Sequence, residues 1–407
     1  MSHHFKAGIL SYVLAIGLLV SVGLSMMILY IYYTQLEYKG YQQKIRLVEN
    51  LETARMITLA DVEHFEYEIP YLMDLYGEGR DSLRINKMEW GFIDVFSVWA
   101  WTPTHRDSMV YATAQKLGEK SQACIFLVDE GRPLAVAGKT KLIGDGYVPV
   151  SGIQSAYVGR IGYRNEELIY GEELKSDKEL PETTIEEKFE KVKQMQGNWG
   201  DHSRDTISNS YFNDLLMISG SNLELFGVYD GKVLIKASGT VVFDSLARTS
   251  GVIVYAPEIE FKSGFEGSGQ FLATDTIILN KEVKLEYPSL LAVYNEKKPA
   301  TIQTRGKAEI EGWVLMEGGK DNFRDRVIYF EDGTIFKGLV YCNGMFEPYA
   351  DIIGHVTTKK FLVNAPSAVY ENYLFNTTID YTKLDTAFLT LNQWFYSNQA
   401  RILQNLR

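Results

Sequence analysis

The hydrophobic pattern begins with one long apolar stretch near the N-terminus. Between Lys6 and Glu37 the sequence carries no charged side chain. A bilayer core about 30 Å thick requires roughly 20 apolar helical residues, because backbone amides must be satisfied within the helix where water is absent. The segment from Ile9 to Tyr33 is long enough, and tyrosines gather at its C-terminal edge as in an interfacial aromatic belt. The pattern therefore predicts a tail and transmembrane helix over residues 1–36.

The length of this stretch favours a retained signal anchor over a cleaved secretory signal. Cleaved signals have an apolar region of about 7–15 residues followed by small residues, whereas this stretch is longer and ends in bulky tyrosines. Gly17, Ser21 and Ser25 are spaced four apart, which places three small residues on one helical face. This spacing predicts a membrane helix-packing face, although small residues are also common in such helices for other reasons.

Two features of the sequence disagree about membrane orientation. Lys39, Lys44 and Arg46 follow the helix, which by the positive-inside rule favours a cytoplasmic body. A very short tail before a long C-terminal body is instead the layout of an anchor whose N-terminus stays inside. We expect a single pass through the bacterial inner membrane with the body on the periplasmic side. Cys124 and Cys342 leave the question open, because they could pair or remain buried thiols.

A six-residue apolar repeat dominates the second half of the chain. Inward-facing residues at this spacing, with three faces to a turn, are typical of a parallel β-helix, in which each coil buries its apolar face against the next. The repeat consists of Ile235, Val241, Ala247, Ile253, Ile259, Phe265, Phe271, Ile277 and Val283.

Two further rows repeat at the implied coil length of about 18 residues. The predicted fold class is accordingly mainly β, a parallel β-helix (solenoid) with an N-terminal transmembrane helix and inserted or flanking α-helices. An antiparallel β-sandwich, which also has short strands and glycine-containing turns, is the alternative. The two rows are Phe243, Phe261 and Leu279, and Val254, Leu272 and Leu290.

Short glycine-containing strand patterns flank the repeat on both sides. The segments 310–314, 335–340 and 353–356 each combine an isoleucine, a glycine and a valine. Glycine at a strand bend permits the tight corner that a solenoid requires. Residues 123–163 contain similar short apolar runs broken by glycines, so we expect strands and turns there too.

Helical patterns are predicted between the β regions. Thr183-x-x-Glu186 resembles a capping box, and Glu187 and Lys191 are spaced to pair across one turn. The helix could dock a partner or be a solvated surface element. Its apolar face consists of Ile185, Phe189 and Val192.

The pattern divides the chain into six segments. Aromatic residues in the second segment, among them Trp90, Trp99 and Trp101, are interpreted as core rather than as a sugar platform. The segments are 1–36, tail and transmembrane helix; 37–118, helical membrane-proximal region; 119–180, β-rich segment; 181–230, helical insertion; 231–365, parallel β-helix; and 366–407, C-terminal helical cap.

Composition narrows the choice of partners. The net charge of −11 argues against nucleic acid, because phosphate binding requires a basic footprint. The hydrophobic content of 46% allows a large core to be buried. We expect membrane lipid as one partner, and self-association or contact with other envelope proteins as the other.

The sequence offers no catalytic, cofactor-binding or metal motif. The six histidines show no metal-ligand spacing, and the glycines at 264–269 fit neither a nucleophile elbow nor a phosphate-binding loop. A carbohydrate-active β-helix enzyme is the enzymatic alternative, but nothing selects a catalytic pair among its acidic candidates. These candidates are Glu258, Glu260, Asp275 and Glu282.

Residues 235–363, with the coil-length repeat and the segment Gly338-Leu339-Val340-Tyr341-Cys342-Asn343-Gly344, resemble the bactofilins, a family of polymer-forming bacterial proteins. The resemblance covers about a third of the chain. It implies a compact right-handed β-helix that assembles end to end into a non-enzymatic scaffold. The N-terminal layout also resembles that of type IV pilins and pseudopilins, but the glutamate expected near the start of a pilin helix is missing between Leu10 and Leu14.

These observations together predict a membrane-anchored structural or assembly component of the bacterial envelope. The predicted protein self-associates or belongs to a secretion or pilus-like apparatus and has no enzymatic activity. The alternative is a membrane-tethered β-helix that binds or degrades carbohydrate. That alternative predicts a groove lined by aromatic and carboxylate side chains.

Overall fold

The computed structural model describes residues 8–77, 79, 81–200, 206–366 and 368–406. These residues form two compact units. The first, here called the helix unit, comprises the described residues up to Thr58 together with Ile69–Asn86 and Val98–Met109. The second, here called the ladder unit, comprises Leu59–Glu68, Lys87–Ser97 and the described residues from Val110 onwards.

Two α-helices are present in the described chain. Helix α1 (Gly8–Ala60) contains the predicted apolar stretch and is long and apolar enough to span a membrane. Its residues from Ile9 to Leu36 are exposed. Helix α2 (Ile185–Gln194) is the short amphipathic helix predicted from the sequence. Short 3₁₀ turns occur at Val62–His64, Glu119–Gln122 and Lys320–Asp325.

The rest of the fold is mainly β, as predicted. Four strands precede residue 118: β1 (Tyr71–Asp74), β2 (Ser82–Trp90), β3 (Ile93–Trp101) and β4 (Arg106–Leu117). The strands of the next segment are β5 (Ile125–Leu127), β6 (Leu134–Ala137), β7 (Lys141–Ile143), β8 (Gly146–Val148), β9 (Ile153–Ser155), β10 (Tyr157–Val158), β11 (Ile161–Gly162) and β12 (Glu173–Lys175).

The strands between 198 and 295 are β13 (Asn198–Trp199), β14 (Thr206–Asn209), β15 (Leu216–Gly220), β16 (Leu223–Leu225), β17 (Val228–Gly231), β18 (Val233–Ala237), β19 (Thr240–Phe243), β20 (Arg248–Ser250), β21 (Val252–Phe261), β22 (Glu266–Gly267), β23 (Gly269–Leu279) and β24 (Lys284–Asn295). The remaining strands are β25 (Ala300–Thr304), β26 (Glu309–Gly318), β27 (Arg326–Phe330), β28 (Ile335–Pro348), β29 (Asp351–Ala365), β30 (Ala368–Glu371), β31 (Tyr373–Phe375), β32 (Thr378–Asp380), β33 (Leu389–Thr390) and β34 (Tyr396–Leu406).

Parallel pairing between successive strands organises the ladder unit, and the pairings form a closed network. Ile235 pairs with Val254, Val254 with Phe271, and Phe271 with Leu291. The interior is a continuous apolar cluster of stacked aliphatic and aromatic side chains. The longest ladder runs β13, β15, β18, β21, β23, β24, β26, β28, β29, β5, β8 and β12.

The ladder does not follow the order of the chain. Strand β5 pairs with β29, with Ile125 opposite Val356, so strands from early in the chain lie beyond strands from late in the chain. The chain therefore runs from β5 to β12 at one end of the ladder, returns through α2, and resumes at β13 at the other end. Residues 119–180 and 231–365, predicted as separate segments, share one ladder.

The predicted apolar rows are confirmed in part. All nine residues of the six-residue repeat are fully buried, but Ile253 belongs to a second apolar cluster outside the ladder interior. Phe243 pairs with Phe261 and Phe261 with Leu279, as the second row predicts. The third row is wrong, because the spacing between paired residues varies: Val254 pairs with Phe271 rather than with Leu272, and Leu272 pairs with Ala292 rather than with Leu290.

Three of the glycines predicted at strand bends stack on one another. Gly312, Gly338 and Gly354 pair with one another in successive strands, each with φ between 141° and 144°. A Cβ on Gly338 would lie 1.8 Å from the carbonyl oxygen of Gly312. Only glycine therefore allows the strands to approach this closely at the bend.

Two predicted helical regions are strands instead. Beyond Ala60, the membrane-proximal region forms β1 to β4, where residues 82–88 alternate between more and less buried positions with a strand period. The expected C-terminal helical cap is also wrong. Leu384, Phe388 and Leu391 are spaced as on a helix and are buried, yet β34 pairs antiparallel with β4, whose edge would otherwise lack backbone partners.

Helix α2 packs on the ladder unit itself. Ile185, Phe189 and Val192 are all buried, which confirms the predicted apolar face. The Phe189 ring centroid lies 5.8 Å from that of Tyr294 and 6.2 Å from that of Phe92. This apolar face is covered by the protein's own residues and is not available to a partner.

The polar predictions for α2 are wrong in detail. Thr184, not Thr183, occupies the N-cap and makes no side-chain capping bond, since its hydroxyl donates to Gln393. Lys191 pairs with Glu89 at 2.9 Å rather than with Glu187. Tertiary partners on neighbouring elements replace the local ones that sequence spacing suggests.

Candidate functional site

A cavity of about 660 Å³ opens on the flank of the ladder unit. The segment 178–186 borders it on one side. The C-terminal ends of β24 and β26 and the middle of β28 border it on the other. Two tyrosines and several carboxylates line it. The lining includes Thr183, Glu186, Tyr294, Glu317, Tyr341 and Asn343.

Glu317 is the centre of a hydrogen-bond network in this cavity. The Tyr341 hydroxyl donates to Glu317 Oε2 at 2.8 Å, and the Thr183 hydroxyl donates to the same oxygen at 3.4 Å. Asn343 Nδ2 donates to Glu317 Oε1. Glu317 and Asn343 follow the inward-facing Met316 and Cys342 of paired strands, so the parallel register places both at the same edge.

The tyrosines of the cavity remain protonated donors. Burial, followed by the charge of Glu317, raises the pKa of Tyr341 well above its ordinary value. Burial, followed by a hydrogen bond to Glu186, likewise raises the pKa of Tyr294. Aromatic rings with hydroxyl, amide and carboxylate groups at one wall suit a ligand rich in hydroxyl groups.

Arg326 lies behind this wall and is fully buried. Its Nε donates to the Asn343 carbonyl oxygen at 2.8 Å, whereas Nη1 and Nη2 have no hydrogen-bond partner among the described residues. Burial lowers its pKa, and the nearby charge of Glu317 opposes that shift. The guanidinium supplies positive charge behind the carboxylate and holds Asn343 by its backbone.

The three residues predicted to form a helix-packing face lie on one exposed face of α1. The Ser21 hydroxyl donates to the Leu18 carbonyl at 2.9 Å, and the Ser25 hydroxyl donates to the Ser21 carbonyl at 2.8 Å. Gly17 has no atom within 4 Å of the position that a Cβ would take. Packing of a second helix against Gly17, Ser21 and Ser25 stays a prediction.

The four acidic candidates are not brought together by shared contacts. Glu258 accepts from Thr240 and Glu260 accepts from Asn280. Asp275 accepts from Asn295, and Glu282 pairs with Lys281. Each of these carboxylates has its own neighbour. Among the described residues, no group of three or more histidine, cysteine or acidic side chains could hold a metal ion.

Both cysteines are free and buried. Burial raises the pKa of each thiol to about 12. His355 lies at the junction of β29 and β5, where Nδ1 is 2.7 Å from the Ala123 carbonyl oxygen and Nε2 is 2.7 Å from the Thr357 hydroxyl. Burial lowers the pKa of His355 to about 4, so its imidazole is neutral near pH 7.

The sequence did not indicate the cavity residues Glu317 and Tyr341, nor Arg326 behind them. The sequence shows polar residues after the apolar runs that follow Gly312 and Gly338, which indicates one edge of the ladder. It does not show which distant segment lies against that edge. The aromatic residues predicted to form a core differ in burial. Trp90 is buried as predicted, whereas Trp99 and Trp101 are partly exposed and line a second cavity in the helix unit. Comparison with protein-family models, curated proteins and solved structures finds no significant match.

Proposed function

We propose that this protein is a membrane-anchored scaffold or assembly component of the bacterial envelope, with its body on the periplasmic side. The supporting observation is that one chain joins a helix able to span a membrane to a long stack of parallel strands. The helix confines the protein to two dimensions and so raises its local concentration for assembly. This proposal includes the bactofilin-like role that the sequence resemblance implies.

In this proposal the parallel strands form the solenoid of a β-helix. Its three faces correspond to three ladders, represented by Ile235 with Val254, Phe243 with Phe261, and Tyr229 with Thr249. The glycines stacked in successive strands and the stacked apolar interior support this interpretation. The antiparallel sandwich alternative has no support in these pairings.

In the proposed solenoid the network closes around each coil, but the first and last coils of the stack each have only one neighbouring coil. We therefore propose the two ends of the stack as self-association surfaces, because a terminal strand can pair with a further strand. At one end, β12 carries Glu173 and Lys175, charged residues that discourage pairing with another strand. At the other end, β13 carries Trp199, which is 69% exposed. A large exposed aromatic residue beside an open strand edge favours contact at the β13 end.

The test is to solubilise the full chain in detergent micelles and to measure its mass by light scattering over a range of concentrations, with negative-stain microscopy. Oligomers or filaments that are lost in the Trp199→Lys variant support assembly through the β13 end. Ile335→Lys is the control and should assemble normally, because Ile335 is also exposed but lies on β28, which is paired with strands on both sides. A particle with one chain at every concentration would remove self-assembly from the proposal.

The cavity at Glu317 favours a second candidate function, binding of an envelope saccharide. Its tyrosines and carboxylates are the lining that this alternative predicted. The test is binding of muramidase-released peptidoglycan fragments to the full chain, with Glu317→Gln and Tyr341→Phe as variants. Loss of one charge-assisted hydrogen bond should weaken binding roughly tenfold. Glu282→Gln, at an exposed carboxylate elsewhere, should bind normally. No binding by the wild-type chain would reject this function.

A further inference from the structure

A cavity of about 520 Å³ in the helix unit has a lining unlike that of the ladder-unit cavity. Two tryptophans and two arginines from three strands meet there, and one carboxylate also borders it. The residues are Arg84 of β2, Trp99 and Trp101 of β3, and Arg106, Asp107 and Ser108 of β4.

The geometry places an aromatic and a cationic surface side by side. Trp99 and Trp101 alternate along β3 and therefore project from the same face. The Arg84 guanidinium carbon lies 5.4 Å from the Trp99 ring centroid. Leu72, paired directly with Arg84 on the next strand, is 68% exposed. This face of the sheet thus combines exposed apolar, aromatic and positively charged groups, the set found at membrane interfaces.

Contacts within the helix unit place the cavity close to the membrane end of α1. The β3–β4 turn closes with a hydrogen bond from Thr102 N to the His105 carbonyl at 2.9 Å, and the Thr104 hydroxyl donates to Gln43 of α1. From Leu36 to Gln43 the helix rises about 10 Å at 1.5 Å per residue. The headgroup layer adds about 5–8 Å to each side of the hydrocarbon core. Trp101 and Arg106 flank this turn, so they lie within a few ångströms of the headgroup layer, a distance that an arginine side chain can span.

Local charge at the cavity opposes that of the whole chain. The protein carries a net charge of −11, which disfavours an anionic surface, whereas Arg84 and Arg106 outnumber Asp107 at this cavity. A guanidinium binds phosphate oxygens through paired N–H donors, and Ser108 adds a hydroxyl donor. A phosphodiester with one negative charge matches the net charge of the cavity.

We propose that this cavity binds the phosphate of an anionic phospholipid headgroup and so fixes the helix unit on the bilayer surface. The inference rests on the proposed membrane anchoring, but it does not depend on self-association or saccharide binding. Each arginine near an anionic surface contributes about 1 kcal/mol, so loss of both should weaken headgroup binding roughly 30-fold.

The test uses the full chain in nanodiscs of phosphatidylcholine, with and without phosphatidylglycerol, each carrying a headgroup spin label that quenches tryptophan. Trp99→Phe/Trp101→Phe supplies the fluorescence background of the other tryptophans. We expect quenching of Trp99 and Trp101 to rise with phosphatidylglycerol and to fall to the neutral-lipid level in Arg84→Gln/Arg106→Gln. The matched control, Lys281→Gln/Lys297→Gln, removes the same charge from exposed positions in the ladder unit and should behave as wild type.

Three results would overturn the proposal. Tryptophan quenching that is equal with and without phosphatidylglycerol would exclude a headgroup site. A fluorescence change with inorganic phosphate in neutral nanodiscs, equal to that with phosphatidylglycerol, would assign the cavity to a soluble anion. Failure of the chain to copurify with nanodiscs would reject membrane anchoring itself, and this readout separates that failure from a failure of the cavity.

Discussion

At the scale of single residues, His355 links the stability of the ladder junction to pH. Its pKa is about 4 in the folded protein and 6.5 for the unperturbed side chain, so the unfolded chain takes up the proton first. The stability contributed by the neutral imidazole is therefore present above pH 6.5 and is lost as the pH falls towards 4. We expect a loss of about 3 kcal/mol in the free energy of unfolding over this range.

Denaturant unfolding of the full chain in detergent at several pH values measures this loss. His355→Gln keeps a polar side chain of similar size but does not titrate, and its unfolding free energy should fall less steeply between pH 6.5 and 4. Equal slopes for the two proteins would assign the acid sensitivity to other groups.

Gly338 tests the close approach of strands at the corners. Gly338→Ala places a methyl group against the Gly312 carbonyl oxygen at a backbone angle that favours glycine, so we expect a loss of more than about 3 kcal/mol in unfolding free energy. Gly131→Ala is the matched control, because Gly131 also has positive φ (76°) but no atom within 4 Å of its Cβ position. It should lose only about 1 kcal/mol. Similar losses in both variants would attribute the cost to backbone angle alone.

At the scale of elements, α2 is held by one apolar face and by Glu89, which pairs with Lys188 and Lys191. Phe189→Ala removes a buried ring, and we expect it to cost about 3–5 kcal/mol and to expose α2 amides to hydrogen exchange. Lys193→Ala removes an exposed ion pair with Glu190 and should leave the free energy of unfolding unchanged, because solvent screens such a pair. Unchanged α2 exchange in Phe189→Ala would show that the ion pairs suffice.

Elements were predictable where the signal is local. The membrane helix needs only its own apolar residues, and α2 needs only the face formed by Ile185, Phe189 and Val192. The row of Phe243, Phe261 and Leu279 is predicted correctly because the spacing between paired residues is the same in both steps. The third row fails because the spacing from Val254 to its partner Phe271 is one residue shorter than the predicted repeat of about 18 residues.

Long-range contacts account for what the sequence did not reveal. The apolar spacing of Leu384, Phe388 and Leu391 suits a helix, but this part of the chain pairs with the edge of β4 through β33 and β34 instead. The cavity at Glu317 forms only when segment 178–186 returns across the strand ends. No local pattern indicates which strand edge a distant segment will cover.

At the scale of the molecule, the junction between β29 and β5 joins parts of the chain more than 200 positions apart in sequence. Val356 N donates to the Cys124 carbonyl at 3.0 Å, and Cys342 pairs with Thr358 on the other side of β29. The two buried thiols therefore report on opposite sides of one strand. If the ladder opens as a unit, both should become accessible in the same event.

Thiol labelling of Cys124→Ala and Cys342→Ala, each with one remaining cysteine, tests this cooperativity. We expect equal labelling rates in low denaturant, and Val356→Ala should raise both by the same factor, about tenfold or more, because Val356 is fully buried between them. Val150→Ala, at a residue that is 66% exposed, should leave both rates unchanged. Faster labelling at Cys124 alone would mean that β5 to β12 open independently. The stack from β13 to β29 would then be the cooperative unit, and the N-terminal coils would act as a separable cap.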